Sequence, residues 1–169
     1  SYVRKHLADR DIRIVTLVYR EQGFIVARGN PKAITTVHDL FGEGVRFINR
    51  QAGSGTRVLL DYELSRNNLD PDAIDGYQQD EYTHMAVAVA VLSGKADAGL
   101  GIKSAARALG LDFVPLVEER YDLLIPGELF ETPMIQAVLA TINTTEFQRT
   151  VEGMGGYSTR ETGRLVPLV

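Results

Sequence analysis

The chain has 169 residues, of which 44% are hydrophobic and 24% are charged, and its net charge at pH 7 is −4. This composition is ordinary for a globular protein, and the negative charge argues against direct nucleic-acid binding by this segment. The sequence contains no cysteine, which excludes disulfides, thiol catalysis and cysteine zinc sites. No apolar run approaches the roughly 20 residues of a membrane helix, so we expect no membrane insertion.

The N-terminal region bears on the compartment. Residues 4–13 carry charges throughout, unlike the apolar stretch of a secretory signal, so we expect a cytoplasmic rather than a periplasmic location. The chain starts at Ser1 and not at methionine, which leaves a processed and a truncated chain as alternatives.

The first 41 residues predict short helices and strands. Residues 2–9 predict a short amphipathic helix, and the β-branched residues at 12–19 predict a strand. A second strand is predicted at 24–27 and a short helix at 34–41, with Thr36 as its cap.

The stretch FINRQAGSGTR at residues 47–57 is the most informative in the sequence. It predicts a short buried strand, a glycine-broken turn and a helix over residues 56–65. The apolar positions at helical spacing in that helix are Val58, Leu59, Leu60 and Tyr62. Ser54 and Thr56 are helix-capping residue types. The glycines permit close approach of a ligand, and a helix start offers unpaired N–H groups to an anion. The motif lacks the lysine of a P-loop, so a capped helix entered by a flexible turn is the alternative interpretation.

The rest of the chain continues the alternation. The helix predicted at 83–93 is apolar nearly all round, so we expect it to be buried on most sides, and Gly94 ends it. Further strands are predicted at 76–77, 96–100, 113–117 and 121–125, and further helices at 102–109, at 133–143 and, with Thr145 as cap, up to residue 154. Strands alternating with helices imply an α/β protein with a largely parallel sheet.

Six motifs in a fixed order carry a resemblance to a known fold. They are REQGF at 20–24, NPK at 30–32, FINR with GSGTR at 47–57, THMAVA at 83–88, GKADAGLG at 94–101 and YDLLIP at 121–126. With these motifs the chain resembles the type II periplasmic-binding-protein fold. More narrowly, it is similar to the molybdate- and tungstate-associated branch, which includes ABC-transporter receptors and domains fused to helix-turn-helix regulators or molybdopterin-biosynthesis proteins.

The resemblance implies an α/β fold with two lobes of mostly parallel sheet flanked by helices. Residues 42–116 correspond to the second lobe, and residues 1–41 with 117–169 correspond to a partial first lobe and the hinge. The strand–helix–strand unit that normally opens the first lobe is missing, so we expect that lobe to be incomplete. Two alternatives stay open: a fragment of a longer regulator or fusion protein, or a partner half that comes from elsewhere.

Four candidate ligand-binding residues lie in the GSGTR motif. By the resemblance, Ser54, Gly55 and Thr56 would offer backbone N–H groups and hydroxyls to a tetrahedral oxyanion. Arg57, just inside the same helix, would pair with the anion, or it is simply a solvated helix residue.

Two further candidates lie outside that motif. Thr83 begins the second apolar helix, whose N-terminus points into the cleft in this family, although a capping role alone would also explain it. Tyr121 opens the strand that returns between the lobes, where a tyrosine hydroxyl donates to the ligand in oxyanion receptors; a half-buried strand aromatic is the alternative. We expect His84, beside Thr83, to be structural.

These residues favour a non-enzymatic sensor or receptor domain that closes its lobes on a small anionic ligand, with molybdate or tungstate bound as the oxyanion. The sequence shows no acid–base or nucleophile constellation, so we expect no catalytic residues, no cofactor and no metal ion as such. The transmitting partner would be a fused DNA-binding or biosynthetic domain, and apolar surface on a truncated lobe would favour a homodimer.

Two other functions fit the same resemblance. An organic-anion effector domain of the LysR type would use Arg50 and Arg57 to clamp a carboxylate. An enzyme on the same fold is the third alternative, because a fold does not fix a function.

Overall fold

The computed structural model describes residues 11–167, so the helix predicted at residues 2–9 lies outside the described residues. The chain divides into two compact units. The larger unit is Glu21–Glu118, and the smaller unit combines residues 11–20 with residues 119–167. Strands β1 (Ile12–Val26) and β5 (Asp112–Pro126) contribute residues to both units. The lobe boundaries inferred from the resemblance stay a prediction.

A mixed sheet forms the centre of the larger unit. Besides β1 and β5 it contains β2 (Phe47–Arg50), β3 (Asp80–Glu81) and β4 (Ala98–Ile102), in the order β3-β2-β4-β1-β5. Strand β2 pairs parallel with β3 and β4, whereas β1 pairs antiparallel with β4. The α/β class is confirmed, but the sheet is not largely parallel, because β1 runs against the strands that helical crossovers align.

Helices cover both faces of this sheet. The larger unit contains two 3₁₀ turns (Val37–Phe41 and Pro71–Ala73) and the helices α1 (Gly55–Arg66), α2 (His84–Leu92) and α3 (Lys103–Ala108). Alternate strand residues enter two separate cores, as the strand period of two requires. Phe24 and Phe47 pack with α1 on one face, whereas Ile25 and Ile48 pack with α2 and α3 on the other.

The buried face of α1 differs from the predicted one. Leu60 and Leu64 are fully buried, whereas Val58 and Tyr62 are each 59% exposed. The helix itself was predicted to within a residue or two, but its many apolar positions left the orientation open. Packing against Phe24 and Leu100 selects the face that carries Leu60 and Leu64.

This difference gives a direct stability prediction. We expect Leu60→Ala to lower the free energy of unfolding by about 2–5 kcal/mol, because it opens a cavity in the core on the α1 side. Val58→Ala, on the exposed face of the same helix, should change it by less than about 0.5 kcal/mol. Urea unfolding of both variants measures the difference, and equal losses would show that α1 packs through the other face.

Helix α2 is also less buried than its composition suggested. Val87, Ala88 and Val91 are buried against the sheet. Met85, Val89 and Leu92, on the opposite face, are between 43% and 56% exposed. The prediction of burial on most sides is therefore wrong, since only the sheet side of α2 is covered.

The smaller unit is built on residues 12–20 of β1. It contains α4 (Gly127–Phe130), α5 (Pro133–Ile142), α6 (Thr145–Gly153), β6 (Tyr157–Ser158) and β7 (Leu165–Val166). Both short strands pair antiparallel with β1. Its core is Val15, Ile125 and Ile142, with further apolar side chains packed around them. No helix within residues 11–167 is long and apolar enough to cross a membrane.

Several predicted boundaries are wrong in detail. The strands predicted at 12–19 and 24–27 are one strand, β1, and those at 113–117 and 121–125 are one strand, β5. The brief strand predicted at 76–77 is instead β3, a few residues later. The cap of α6 is Thr144 and not Thr145, since its side chain accepts from the N–H of Phe147.

Candidate functional site

The start of α1 is built by the GSGTR motif. Ser54 is the N-cap, and its hydroxyl oxygen accepts a hydrogen bond from the backbone N–H of Arg57 at 3.1 Å. Gly55 and Thr56 are the first two helical residues, whose N–H groups have no partner within a helix. A hydroxyl that accepts in this way keeps its own proton as a donor. This turn therefore offers neutral donors to an anion.

The start of α2 repeats the arrangement. Thr83 is the N-cap, with its hydroxyl oxygen 3.0 Å from the N–H of Ala86 that donates to it. Thr83 is exposed. His84 and Met85 supply the first two helical N–H groups. The sequence-predicted caps at Ser54 and Thr83 are thus both found as caps, although capping alone does not test whether they bind a ligand.

The sheet places these two helix starts at the same edge. Strands β2 and β3 are parallel neighbours, with Asn49 opposite Asp80, and α1 and α2 each follow the carboxyl end of one of them. The carboxyl ends of parallel strands are where open α/β sheets bind ligands. Two helix N-termini with positive dipole ends therefore lie at one edge of the larger unit.

Arg50 connects the two helix starts. This arginine is the last residue of β2 and is only 7% exposed. Its guanidinium donates to the carbonyl of Glu81 at 3.2 Å and to the carbonyl of Tyr82 at 3.0 Å, and Nη1 lies 2.9 Å from Nδ1 of His84. The segment that leads into α2 is thereby fixed to the segment that leads into α1.

The side chains of Thr56 and Arg57 have partners inside the larger unit. The buried Thr56 hydroxyl donates to Oε1 of Gln22 at 2.7 Å, so this hydroxyl points into the unit. The Arg57 guanidinium lies 4.0 Å from the ring centroid of Tyr77 and donates to Asp61 at 3.1 Å. Burial lowers the pKa of Arg57, but its hydrogen bonds to Tyr77 and Asp61 raise that pKa above its ordinary value.

Tyr121 belongs to the smaller unit. Its side chain is 48% exposed, and the Arg20 guanidinium lies 4.6 Å from its ring centroid. Arg20 also forms an ion pair with Glu119. A ligand-binding role for the Tyr121 hydroxyl stays a prediction.

Two glycines of the GKADAGLG motif allow close packing at this edge. A Cβ on Gly99 would lie 2.4 Å from Val87 and 2.7 Å from Ile48, so α2 and β2 approach β4 at this residue. A Cβ on Gly101 would lie 2.6 Å from Ile25 and 3.6 Å from Nδ1 of His84. These glycines hold α2 close to the sheet, which is the packing interpretation of the motif.

The sequence did not predict the structural role of Arg50, and it did not indicate Asp61 or Tyr77 as site residues. Arg50 was considered only as a carboxylate clamp, and neither Asp61 nor Tyr77 was considered. The signal available for Asp61 was its position four residues after Arg57, the spacing of a helical ion pair. Nothing local indicates Tyr77, because it reaches Arg57 from another segment of the chain.

The profile of the PBP superfamily domain matches residues 1–143 of the chain. The chain belongs to the PBP superfamily. The uncharacterized protein YvgK of Bacillus subtilis (strain 168) is 35% identical over 165 residues, which are 98% of this chain and 53% of that protein. The chain thus spans about half the length of this relative.

Solved structures show the same fold. A substrate-binding protein with bound phosphate from Clostridium perfringens, assigned to a phosphate ABC transporter, has a TM-score of 0.61 and 16% identity, with 87% of this chain and 71% of that chain covered. The substrate binding domain of a protein from Clostridium difficile assigned to a molybdenum ABC transporter has a TM-score of 0.60 and 16% identity, covering 93% and 71%. An ancestral arginine-binding protein bound to glutamine has a TM-score of 0.60 and 17% identity, covering 92% and 67%. At these identities the likeness shows the type II periplasmic-binding-protein fold alone.

Proposed function

We propose that this PBP superfamily domain binds a tetrahedral oxyanion, molybdate or tungstate, at the edge of the larger unit where α1 and α2 begin. The observation that carries the proposal is the pair of capped helix starts that follow adjacent parallel strands and are joined by Arg50. The donors are the N–H groups of Gly55, Thr56 and the first turn of α2, with the hydroxyls of Ser54 and Thr83.

The donor chemistry supports a small dianion. Helix N-termini favour negative charge, and their N–H groups do not titrate, so they can neutralise a buried dianion at any ordinary pH. Donors fixed by two helices also set the size of the ligand, which would separate molybdate and tungstate from the smaller sulfate. A solved structure of the same fold carries bound phosphate, which shows that the fold accommodates a tetrahedral oxyanion.

Isothermal titration with molybdate, tungstate, sulfate and phosphate tests the proposal. We expect Ser54→Ala and Thr83→Ala each to weaken molybdate or tungstate binding by about tenfold, because each removes one hydroxyl donor and loosens one helix start. Thr144→Ala is the matched control, since Thr144 caps α6 by the same side-chain bond within the smaller unit. It should cost about 1 kcal/mol of stability, as the other two do, and leave the affinity unchanged.

Two results would contradict the proposal. One is the absence of binding by all four oxyanions to the wild-type domain. The other is an equal loss of affinity in Thr144→Ala, which would mean that the affinity follows stability and not the site.

An organic anion is the second candidate ligand, and the placement of two guanidiniums at this edge favours it. The Arg57 guanidinium is 3.5 Å from the carbonyl of Arg50, and the Arg50 guanidinium reaches the segment before α2. A carboxylate ligand would have to displace Asp61 from Arg57, or the carbonyls that Arg50 binds. A guanidinium often binds a carboxylate through two parallel hydrogen bonds. Small carboxylates and amino acids in the same titrations distinguish this ligand class from an oxyanion.

The context of the domain is part of the proposal. Lobe closure on the ligand, a Tyr121 hydroxyl contact, a cytoplasmic location and a fused DNA-binding or biosynthetic partner are predictions from the resemblance. The alternative to a fused regulator or biosynthetic protein is a receptor of an uptake system. Light scattering tests the homodimer, which a monomeric mass would contradict.

A further inference from the structure

Arg57, in the first turn of α1, forms a connected group with Asp61, one turn later, and with Tyr77 from outside the helix. Oδ1 of Asp61 accepts from the Tyr77 hydroxyl at 2.7 Å and from Nε of Arg57 at 3.1 Å. The Arg57 guanidinium also lies over the Tyr77 ring, 4.0 Å from its centroid. We call this set the Arg57 clamp.

The clamp fixes Arg57 more firmly than an ordinary surface ion pair. The side chain of Arg57 is only 13% exposed, although that of Asp61 is 46% exposed. Tyr77 is 9% exposed. Its burial and, to a lesser extent, its hydrogen bond to Asp61 raise the pKa of its hydroxyl, so the tyrosine stays protonated and donates. A cation held between a ring face and a carboxylate has little freedom to turn toward a ligand.

The clamp also cancels a charge beside the proposed site. The backbone N–H of Arg57 is bonded to the Ser54 cap, so this residue belongs to the same helix turn as the proposed donors. An unpaired arginine there would attract any small anion, with a strong dependence on salt. With Asp61 in place, the turn offers mainly neutral, directional donors, which discriminate by ligand geometry.

We infer that Asp61 determines the anion selectivity of this domain by holding and neutralising Arg57 at the start of α1. The inference rests on the proposed function and deepens it. Asp61 is a positioning residue: it acts through Arg57 and does not itself contact the ligand. Tyr77 contributes by fixing the carboxylate through its hydroxyl.

Asp61→Asn tests the inference, because it removes the charge and keeps the shape. We expect phosphate and sulfate to bind roughly threefold to tenfold more tightly, the preference for molybdate or tungstate to narrow, and the salt dependence of binding to steepen. Tyr77→Phe, which keeps the ring and the Asp61 charge, should give a smaller change in the same direction.

Glu63→Gln is the matched control. Glu63 pairs with Arg66 on the same helix, and the Arg66 guanidinium lies 6.0 Å from the centroid of the Tyr62 ring. Because residues two apart on a helix do not face each other, the substitution makes the same charge change near Asp61 but away from Arg57. If the effect of Asp61→Asn comes only from net charge, Glu63→Gln will reproduce it, and the inference is overturned.

A double substitution shows whether Asp61 acts through Arg57. In an Arg57→Gln background, Asp61→Asn should leave selectivity and salt dependence unchanged. A full effect in that background would overturn the inference, because Asp61 would then act on the anion directly.

The same titrations separate this inference from the proposed function. If the wild type binds an oxyanion and Asp61→Asn shows the same selectivity and salt dependence, the inference is overturned and the proposed function stands. Phosphate binding by Asp61→Asn but no anion binding by the wild type supports the clamp and contradicts the proposed function. No binding by either protein overturns both.

Discussion

Gly76→Ala should strongly destabilise the larger unit. Gly76 has φ +92°, and a Cβ there would lie 2.0 Å from the carbonyl oxygen of Phe47, an atom of the backbone of β2. Strain and overpacking together should lower the free energy of unfolding by about 2–5 kcal/mol, since the strand cannot move away without breaking its pairing. Denaturant unfolding measures the loss.

Gly94→Ala is the control that measures the strain of a positive φ without a steric clash. Gly94 has φ +73°, and a Cβ there would meet no heavy atom within 4 Å. We expect a loss of about 1–2 kcal/mol from the positive φ alone. If the two variants lose the same free energy, the close contact between Gly76 and β2 does not exist in solution.

The second large effect is expected for Arg50→Met. Methionine fills much of the space of the arginine stem but removes the guanidinium donor from the Tyr82 carbonyl, and it leaves the Glu81 carbonyl with only the backbone N–H of Gln51. Because the Arg50 side chain is buried and hydrogen bonds to a charged group are stronger than neutral ones, we expect a loss of about 2–4 kcal/mol in the free energy of unfolding. Hydrogen exchange at the start of α2 should also become faster, since that segment loses its connection to β2.

Arg46→Met is the matched control. Arg46 is 49% exposed and pairs with Asp97, and this pair precedes β2 and β4, at the opposite ends of those strands. An exposed pair of this kind is worth at most about 1 kcal/mol. Similar losses in both variants, or unchanged exchange at α2 in Arg50→Met, would show that Arg50 does not join the two helix starts.

Helix ends were the most predictable features of this chain. Ser54 and Thr83 were predicted as capping residues, and each accepts a bond from an N–H three residues later. Gly94, predicted to end α2, follows its C-cap Ser93 and has a positive φ. These features involve atoms within a few residues of one another, so the local sequence contains all the information that they need.

Burial of helix faces was less predictable. The apolar residues of α1 and α2 exceed what one face can bury, so the pattern did not show that Leu60 is buried and Val89 exposed. Strand direction was also missed. The alternation of strands and helices aligns β2, β3 and β4, but the antiparallel position of β1 depends on pairing with a strand over seventy residues later, as between Phe24 and Leu100.

The sequence by itself thus determined the α/β class, the resemblance to the periplasmic-binding-protein fold, and the two capped helix starts that the proposed site uses. Only the tertiary structure decided that Arg50 joins these starts and that Asp61 and Tyr77 hold Arg57. The physical reason is the distance along the chain. Arg50 meets His84 across 34 residues and Tyr77 meets Asp61 across 16, and such contacts exist only after the strands have paired and the helices have packed on them.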